Sequence, residues 1–156
     1  MIRTCALLSA VSVFLIGIAS GSAAAADGDH TAAEQQLVQL INQARSQQGL
    51  PPLPRNGQLQ QAARAHSQLM ASQQTLSHQL RSEPILRKRL ALTGLRFHTD
   101  GETVAFNQSA EAAHQDLMHS PPHRAIILSP EYNAVGIGVV ERDGTLWITE
   151  DFARLR

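Results

Sequence analysis

The sequence predicts an α+β fold in which helices cover an antiparallel sheet. Apolar residues recur at helical spacing through the first two thirds of the chain, and two alternating runs separated by a turn close it. Helices that come first and a hairpin that comes last are typical of a domain whose helices pack on the faces of its sheet.

The first two predicted helices have recognisable ends. A capping box, TAAE at residues 31–34, predicts a helix that starts at Thr31 and stops at Gly49. Its apolar face contains Leu37, Leu40, Ile41 and Ala44. The proline-rich segment 50–54 is predicted to be extended, and a second helix covers about residues 57–74.

Two shorter helices are predicted in the middle of the chain. One follows Ser82, with Pro84 in its first turn, and ends at Gly94. Its inward side chains are expected to be Ile85, Leu86 and Leu90. Residues 95–106 are predicted to be extended or looped, and Ser109 is predicted to cap a fourth helix. The two prolines at 121–122 interrupt that helix before a short turn over 123–128.

The C-terminal hairpin has the clearest pattern. Residues 135–140 alternate between branched apolar residues and mostly glycine, Asp143-Gly144 predicts a tight turn, and residues 146–152 return as the second strand.

The composition indicates one globular domain. The chain has 156 residues, of which 43% are hydrophobic and 17% are charged, and this balance differs from that of a disordered chain. Its 13 basic and 13 acidic residues cancel, so there is no basic excess for phosphate contacts. We therefore do not expect nucleic-acid binding.

The N-terminal segment predicts export. A basic Arg3 precedes an apolar stretch from Cys5 to about Ile18, and small residues follow as far as Ala26. This order is typical of a secretory signal peptide, whereas the apolar run is short for a membrane anchor. We expect a signal peptide over residues 1–26, a linker over 27–32 and a domain over 33–154 that is secreted or periplasmic, without a transmembrane span after signal removal.

Several segments occur in a distinctive order: LINQAR at 40–45 with GLPPL at 49–53, LQQAARAH at 59–66, GETVA at 101–105, SPPHR at 120–124, and VGIGV at 135–139 before the last strand. Together they resemble the CAP superfamily, the cysteine-rich secretory, antigen 5 and pathogenesis-related group with its SCP-like domain, in the bacterial disulfide-free form. The resemblance implies a three-layer α-β-α sandwich with a central antiparallel sheet. Thr103, Pro122 and Glu150 depart from the family's usual Asn, Gly and Gln.

The same resemblance implies a cleft that contains His78, Glu102 and His123. Two imidazoles and a carboxylate can hold a divalent metal such as Zn²⁺, with His78 and His123 as ligands, or can work as an acid–base pair without metal. Sequence spacing alone does not bring the three together, and each has a structural alternative: a helix cap for His78, an ion pair with a nearby arginine for Glu102, and a hydrogen bond for His123. His66 is expected in the core, and His30, His98, His114 and His119 are expected on the surface.

Two functions follow from these residues. The first is a binding module whose polar cleft holds a lipid, a peptide, an envelope glycan or a protein, since fold alone selects none of them. The second is a metal-assisted hydrolase with Glu102 as metal ligand or general base. Ser120 and Trp147 lie near positions where animal and plant members carry a second cavity Glu and His, and their presence favours the binding module. Whether the protein is an enzyme stays open at this point.

Overall fold

The computed structural model describes residues 23–156 and, within the first helix, the side chains from Ala32 onward. The elements are α1 (Ala23–Gln47), α2 (Gly57–Gln73), α3 (Leu86–Leu92), β1 (Phe97–Asn107), α4 (Ala110–His119), α5 (Pro121–Ile127), β2 (Ala134–Arg142) and β3 (Thr145–Leu155). The expected signal peptide lies outside the described residues except for 23–26. In the described part of the chain, none of the helices has the length and apolar character needed to cross a bilayer.

The sheet has three strands in the order β1-β3-β2, and both pairings are antiparallel. β2 and β3 form the predicted hairpin, in which Asp143 and Gly144 have φ angles of 53° and 73°. Two successive left-handed residues give the turn whose twist matches that of the flanking strands.

Helices cover both faces of this sheet. Apolar side chains of α1, α4 and α5 pack on one face, against alternate residues of the hairpin that include Val135, Ile148 and Phe152. α2 and α3 pack on the opposite face, where there are two smaller apolar clusters. One contains Leu59 and Leu90, and the other contains Met70 and Leu80. The predicted α+β class and three-layer sandwich are confirmed.

Glycines in β2 allow α2 to lie directly on the sheet. A Cβ atom at Gly136 would be 2.2 Å from the backbone nitrogen of Gln60, and one at Gly138 would be 2.2 Å from that of Arg64. Because backbone atoms cannot rotate away as side-chain ends can, only glycine fits at these two positions.

Two helix starts differ from the sequence prediction. α1 begins at Ala23 rather than at Thr31, so residues 27–32, expected as a linker, are helical; alanine favours continued helix over the preceding segment. α3 begins only at Leu86, and the prediction that Ile85 points inward is wrong. Ile85 occupies the N-cap with an extended backbone (ψ 156°), which leaves its side chain in solvent.

Candidate functional site

Three separate elements supply the predicted site residues. His78 lies in the loop after α2, Glu102 lies on the face of β1 that α2 and α3 cover, and His123 lies in the first turn of α5. His78 Nδ1 donates a hydrogen bond of 3.0 Å to Glu102 Oε1, and the ring centroids of His78 and His123 are 6.0 Å apart. The fold thus brings the three side chains to one place, with His78 exposed, His123 half-buried and Glu102 buried.

Arg89 completes the surroundings of Glu102. Its guanidinium forms an ion pair with Glu102 Oε2 and, at 3.0 Å, a second pair with Glu83 Oε2. Glu102 therefore has the ion pair with an arginine that was the structural alternative to a site role, and it also has the hydrogen bond from His78. Sequence reasoning missed Arg89, although its position between Leu86 and Leu90 on the inward side of α3 was a usable signal.

His66 is buried in the core, as expected. Its Nε2 donates to the carbonyl oxygen of Ser77 at 2.9 Å, which leaves Nδ1 of a neutral ring to accept from the Arg89 guanidinium; Nδ1 also lies 2.9 Å from Glu83 Oε2. The ring thus connects α2 to the loop that carries His78, so it has a structural role beyond filling space.

Replacement of His66 by leucine is expected to destabilise the protein by about 1–3 kcal/mol, because the Ser77 carbonyl loses a buried donor and the Arg89 guanidinium loses an acceptor. Urea-induced unfolding measures the loss. The control is His119→Leu, which removes an exposed ring bonded to the Gln115 carbonyl and should cost well under about 1 kcal/mol. Equal losses for the two variants would contradict the bridging role of His66.

Asp151 is a second carboxyl group beneath the site. It pairs with Glu102 across β3 and β1, is fully buried, and among the described residues neither of its oxygens has a hydrogen-bond partner. Burial, reinforced by the charge of Glu102, raises the pKa of Asp151 well above its ordinary value of 3.8. The sequence held a signal for it, two consecutive acidic residues within a predicted strand, Glu150 and Asp151, but not the register that places Asp151 beside Glu102.

The histidines differ in environment. Burial, and secondarily the charge on His78, lowers the pKa of His123 and so favours its neutral form. The prediction that His114 lies on the surface is wrong: α4 turns this side chain inward, and burial lowers its pKa. His98 and His119 are exposed as predicted.

A cleft of about 580 Å³ adjoins His123. Its lining mixes apolar and polar side chains. The large apolar ones are Leu76, Val104, Phe106 and Leu117, and the polar ones are Asn107, Gln108, Asp116, Ser120, His123 and Thr145. Phe106 is 54% exposed although its ring centroid lies 5.7 Å from that of Trp147, which is itself mostly buried. An exposed phenyl group at the mouth of a concavity is a favourable contact surface for a ligand.

The residues fit a metal ion only in part. Within residues 32–156, no group of three or more His, Cys, Asp or Glu side chains is arranged so that it could hold a metal. Both oxygens of Glu102 already have partners, His78 and Arg89, and His78 Nδ1 is engaged by Glu102. Among these side chains, the arrangement leaves Nε2 of His78 and the ring nitrogens of His123 as donor atoms for an ion.

Comparisons with known proteins agree with this architecture. A family model described as the cysteine-rich secretory protein family (CAP) matches residues 38–152. The chain is 34% identical over 123 residues to the Bacillus subtilis protein YkwD, covering 78% of this chain and 47% of YkwD. It is 30% identical over 110 residues to the Bacillus subtilis membrane protein YlbC, covering 70% of this chain and 32% of YlbC. The chain thus spans half or less of these relatives.

Two solved structures are also similar. An extracellular SCP-domain protein from Bacillus anthracis has a TM-score of 0.78 at 28% identity, with 83% of this chain and 42% of that chain covered. An outer surface protein from Borrelia burgdorferi has a TM-score of 0.76 at 16% identity, with 82% of this chain and 96% of that chain covered. At this identity the similarity shows a shared fold alone.

Proposed function

The chain belongs to the cysteine-rich secretory protein (CAP) family, and we propose that it is an exported module that binds a ligand outside the cytoplasm in the cleft beside His123. Export is supported by the signal-like segment over residues 1–26 and by the similar proteins described as extracellular or outer-surface. The candidate ligands are a lipid, a peptide, an envelope glycan or a protein in the periplasm or outside the cell.

The observation that carries the proposal is one cleft whose lining combines exposed apolar side chains with hydrogen-bonding groups. A ligand with an apolar group would cover Phe106 and Leu76, both of which are substantially exposed. A hydrogen-bonding group on the same ligand would reach the half-buried imidazole of His123. Lipids and peptides with apolar side chains combine both features.

Trp147 offers a direct test because it is the only tryptophan of the chain and contacts Phe106. Titration with fatty acids, apolar peptides and glycan fragments should change Trp147 fluorescence for the class that binds. Phe106→Ala should weaken that response at least about tenfold, as loss of a well-buried aromatic contact does, whereas Leu92→Ala on α3 should not. If no class changes the fluorescence, or if Phe106→Ala responds like the wild type, the proposal fails.

A metal-assisted hydrolase is the second candidate, because the His78 and His123 rings are close and the lowered pKa of His123 favours the neutral, metal-binding imidazole. His78 and His123 would hold the ion, which would supply Lewis-acid activation of a water or carbonyl group. Glu102 would have to give up Arg89 or His78 before it could act as a further ligand or as a base. This cost places the hydrolase second.

Added Zn²⁺ tests the second candidate. A metal that binds the folded state raises the thermal midpoint by mass action, so wild type should respond and a His78→Ala/His123→Ala double variant should not. The matched control is His98→Ala/His119→Ala, which removes two exposed imidazoles. Identical responses from all three proteins would eliminate the metal site. If Zn²⁺ does bind, turnover of peptide, ester or glycan substrates must disappear with Glu102→Gln before catalysis is accepted.

A further inference from the structure

We propose that the outer face of α3 is a docking surface for an anionic lipid bilayer. Ile85 and Leu92 are 64% and 66% exposed, the highest values for large apolar side chains among the described residues. Lys88 lies between them at helical spacing, so the three side chains form one stripe on the outside of the helix. Exposed apolar side chains grouped in this way mark a contact surface.

Positive charge is concentrated around this stripe. Residues 81–98 contain five basic residues, of which all but the buried Arg89 are exposed, and one acidic residue, in a chain whose total charge is zero. Arg87, Arg96 and the C-terminal Arg156 line a depression of about 270 Å³ along one side of α3. Arg87 is paired with Asp100, whereas Lys88 and Arg96 form no ion pair among the described residues. Lys88 and Arg96 are therefore available to anionic headgroups.

The other side of the stripe is apolar. A groove of about 360 Å³ between α2 and α3 is lined in part by Ala65, Leu69, Pro84 and Leu92. Apolar side chains beside basic ones on a protein surface match the boundary between acyl chains and anionic headgroups. A soluble polyanion would use the basic residues and leave Ile85 and Leu92 in water, whereas a bilayer contacts both groups.

This surface is distinct from the proposed ligand cleft. None of Ile85, Lys88, Leu92 and Arg96 lines the cleft beside His123. Docking through α3 would therefore hold the protein at a membrane while the cleft stays accessible.

Vesicle co-sedimentation tests the docking surface. Wild type should partition onto mixed phosphatidylcholine–phosphatidylglycerol vesicles and release as salt is raised, with little binding to pure phosphatidylcholine. Ile85→Ser/Leu92→Ser and the single variant Lys88→Glu should each weaken partitioning by about tenfold or more. Because these side chains are exposed, the variants should keep the wild-type thermal midpoint.

The matched control is Arg124→Glu, an exposed charge reversal on α5, which covers the opposite face of the sheet; it should partition like wild type. Retained binding by Ile85→Ser/Leu92→Ser would show that charge alone holds the protein on the vesicle, as it would on any polyanion, and would overturn the proposal. Equal binding to both vesicle types, or no effect of Lys88→Glu, would show that anionic headgroups are not recognised and would overturn it as well.

Discussion

Replacement of Arg45 by alanine is expected to destabilise the protein by about 3–5 kcal/mol, the range for truncating a large buried side chain to alanine. Arg45 is fully buried in the last turns of α1. Its guanidinium donates to the carbonyl oxygens of Pro51, Ile127 and Ser129 at 3.1, 2.9 and 2.8 Å. Alanine would leave these carbonyls without their donor and would open a cavity where α1, the extended loop and the end of α5 meet.

Urea-induced unfolding measures this loss, and Arg142→Ala is the matched control. Arg142 also donates to two carbonyl oxygens, those of Ala71 and Ser72, but its side chain is 41% exposed. Water can replace the lost donor there, so Arg142→Ala should cost less than about 1 kcal/mol. If the Arg45 variant is no less stable than the Arg142 variant, the carbonyl-binding role of Arg45 is wrong.

Relative to wild type, a protein with Glu150 replaced by glutamine is expected to gain about 3 kcal/mol of stability as pH rises from 4.5 to above about 7. Glu150 is fully buried against the α1, α4 and α5 layer, where Thr103 Oγ1 donates to its Oε2 at 2.6 Å. Among the described residues its other oxygen has no partner. Burial raises the pKa of Glu150 from 4.5 to about 7, partly offset by the Thr103 bond. Glutamine keeps an acceptor for Thr103 and removes the charge.

The sign of the pH dependence follows from the direction of this shift. Because the folded protein holds the Glu150 proton more tightly than the unfolded chain, the group's favourable contribution is complete below about pH 4.5. That contribution is lost as pH rises through about 7, where the buried carboxyl group ionises. The advantage of Glu150→Gln should therefore be small at acid pH and grow to its full value in mild alkali.

Unfolding free energies measured across pH for wild type and Glu150→Gln test this expectation. Glu141→Gln is the control, because Glu141 is an exposed carboxyl group on the neighbouring strand β2. The stability-versus-pH curve of Glu141→Gln should run parallel to that of wild type. A constant difference between Glu150→Gln and wild type at all pH values would show that Glu150 does not ionise within the core in this range.

Local patterns in the sequence predicted most of the elements. Period-3.6 apolar residues located α1 and α2, Ser109 marked the start of α4, and Asp143-Gly144 marked the hairpin turn. These signals work because caps, turns and amphipathic faces depend on residues within about one turn of each other. The prediction that Ile85 faces inward was wrong because it too used only a local pattern. Apolar character alone does not show whether a residue at a helix end faces the core.

The candidate site needed more than local patterns. Family resemblance pointed to His78, Glu102 and His123, and the convergence of their side chains depends on a loop, a strand and a helix that are far apart in sequence. Arg89 and Asp151 emerged only from the fold, because the packing of α3 and the β1–β3 register place them against Glu102. Strand register is set by contacts between distant segments, which no window of sequence contains.

The sequence by itself thus determined the α+β class and the order of the elements, and its resemblance to a family added the three candidate site residues. Only the tertiary structure decided which partners those residues have, where the apolar wall of the cleft lies and which charges are buried. The physical reason is that secondary structure follows from short-range patterning, whereas desolvation, ion pairing and cavity shape arise when distant segments pack together.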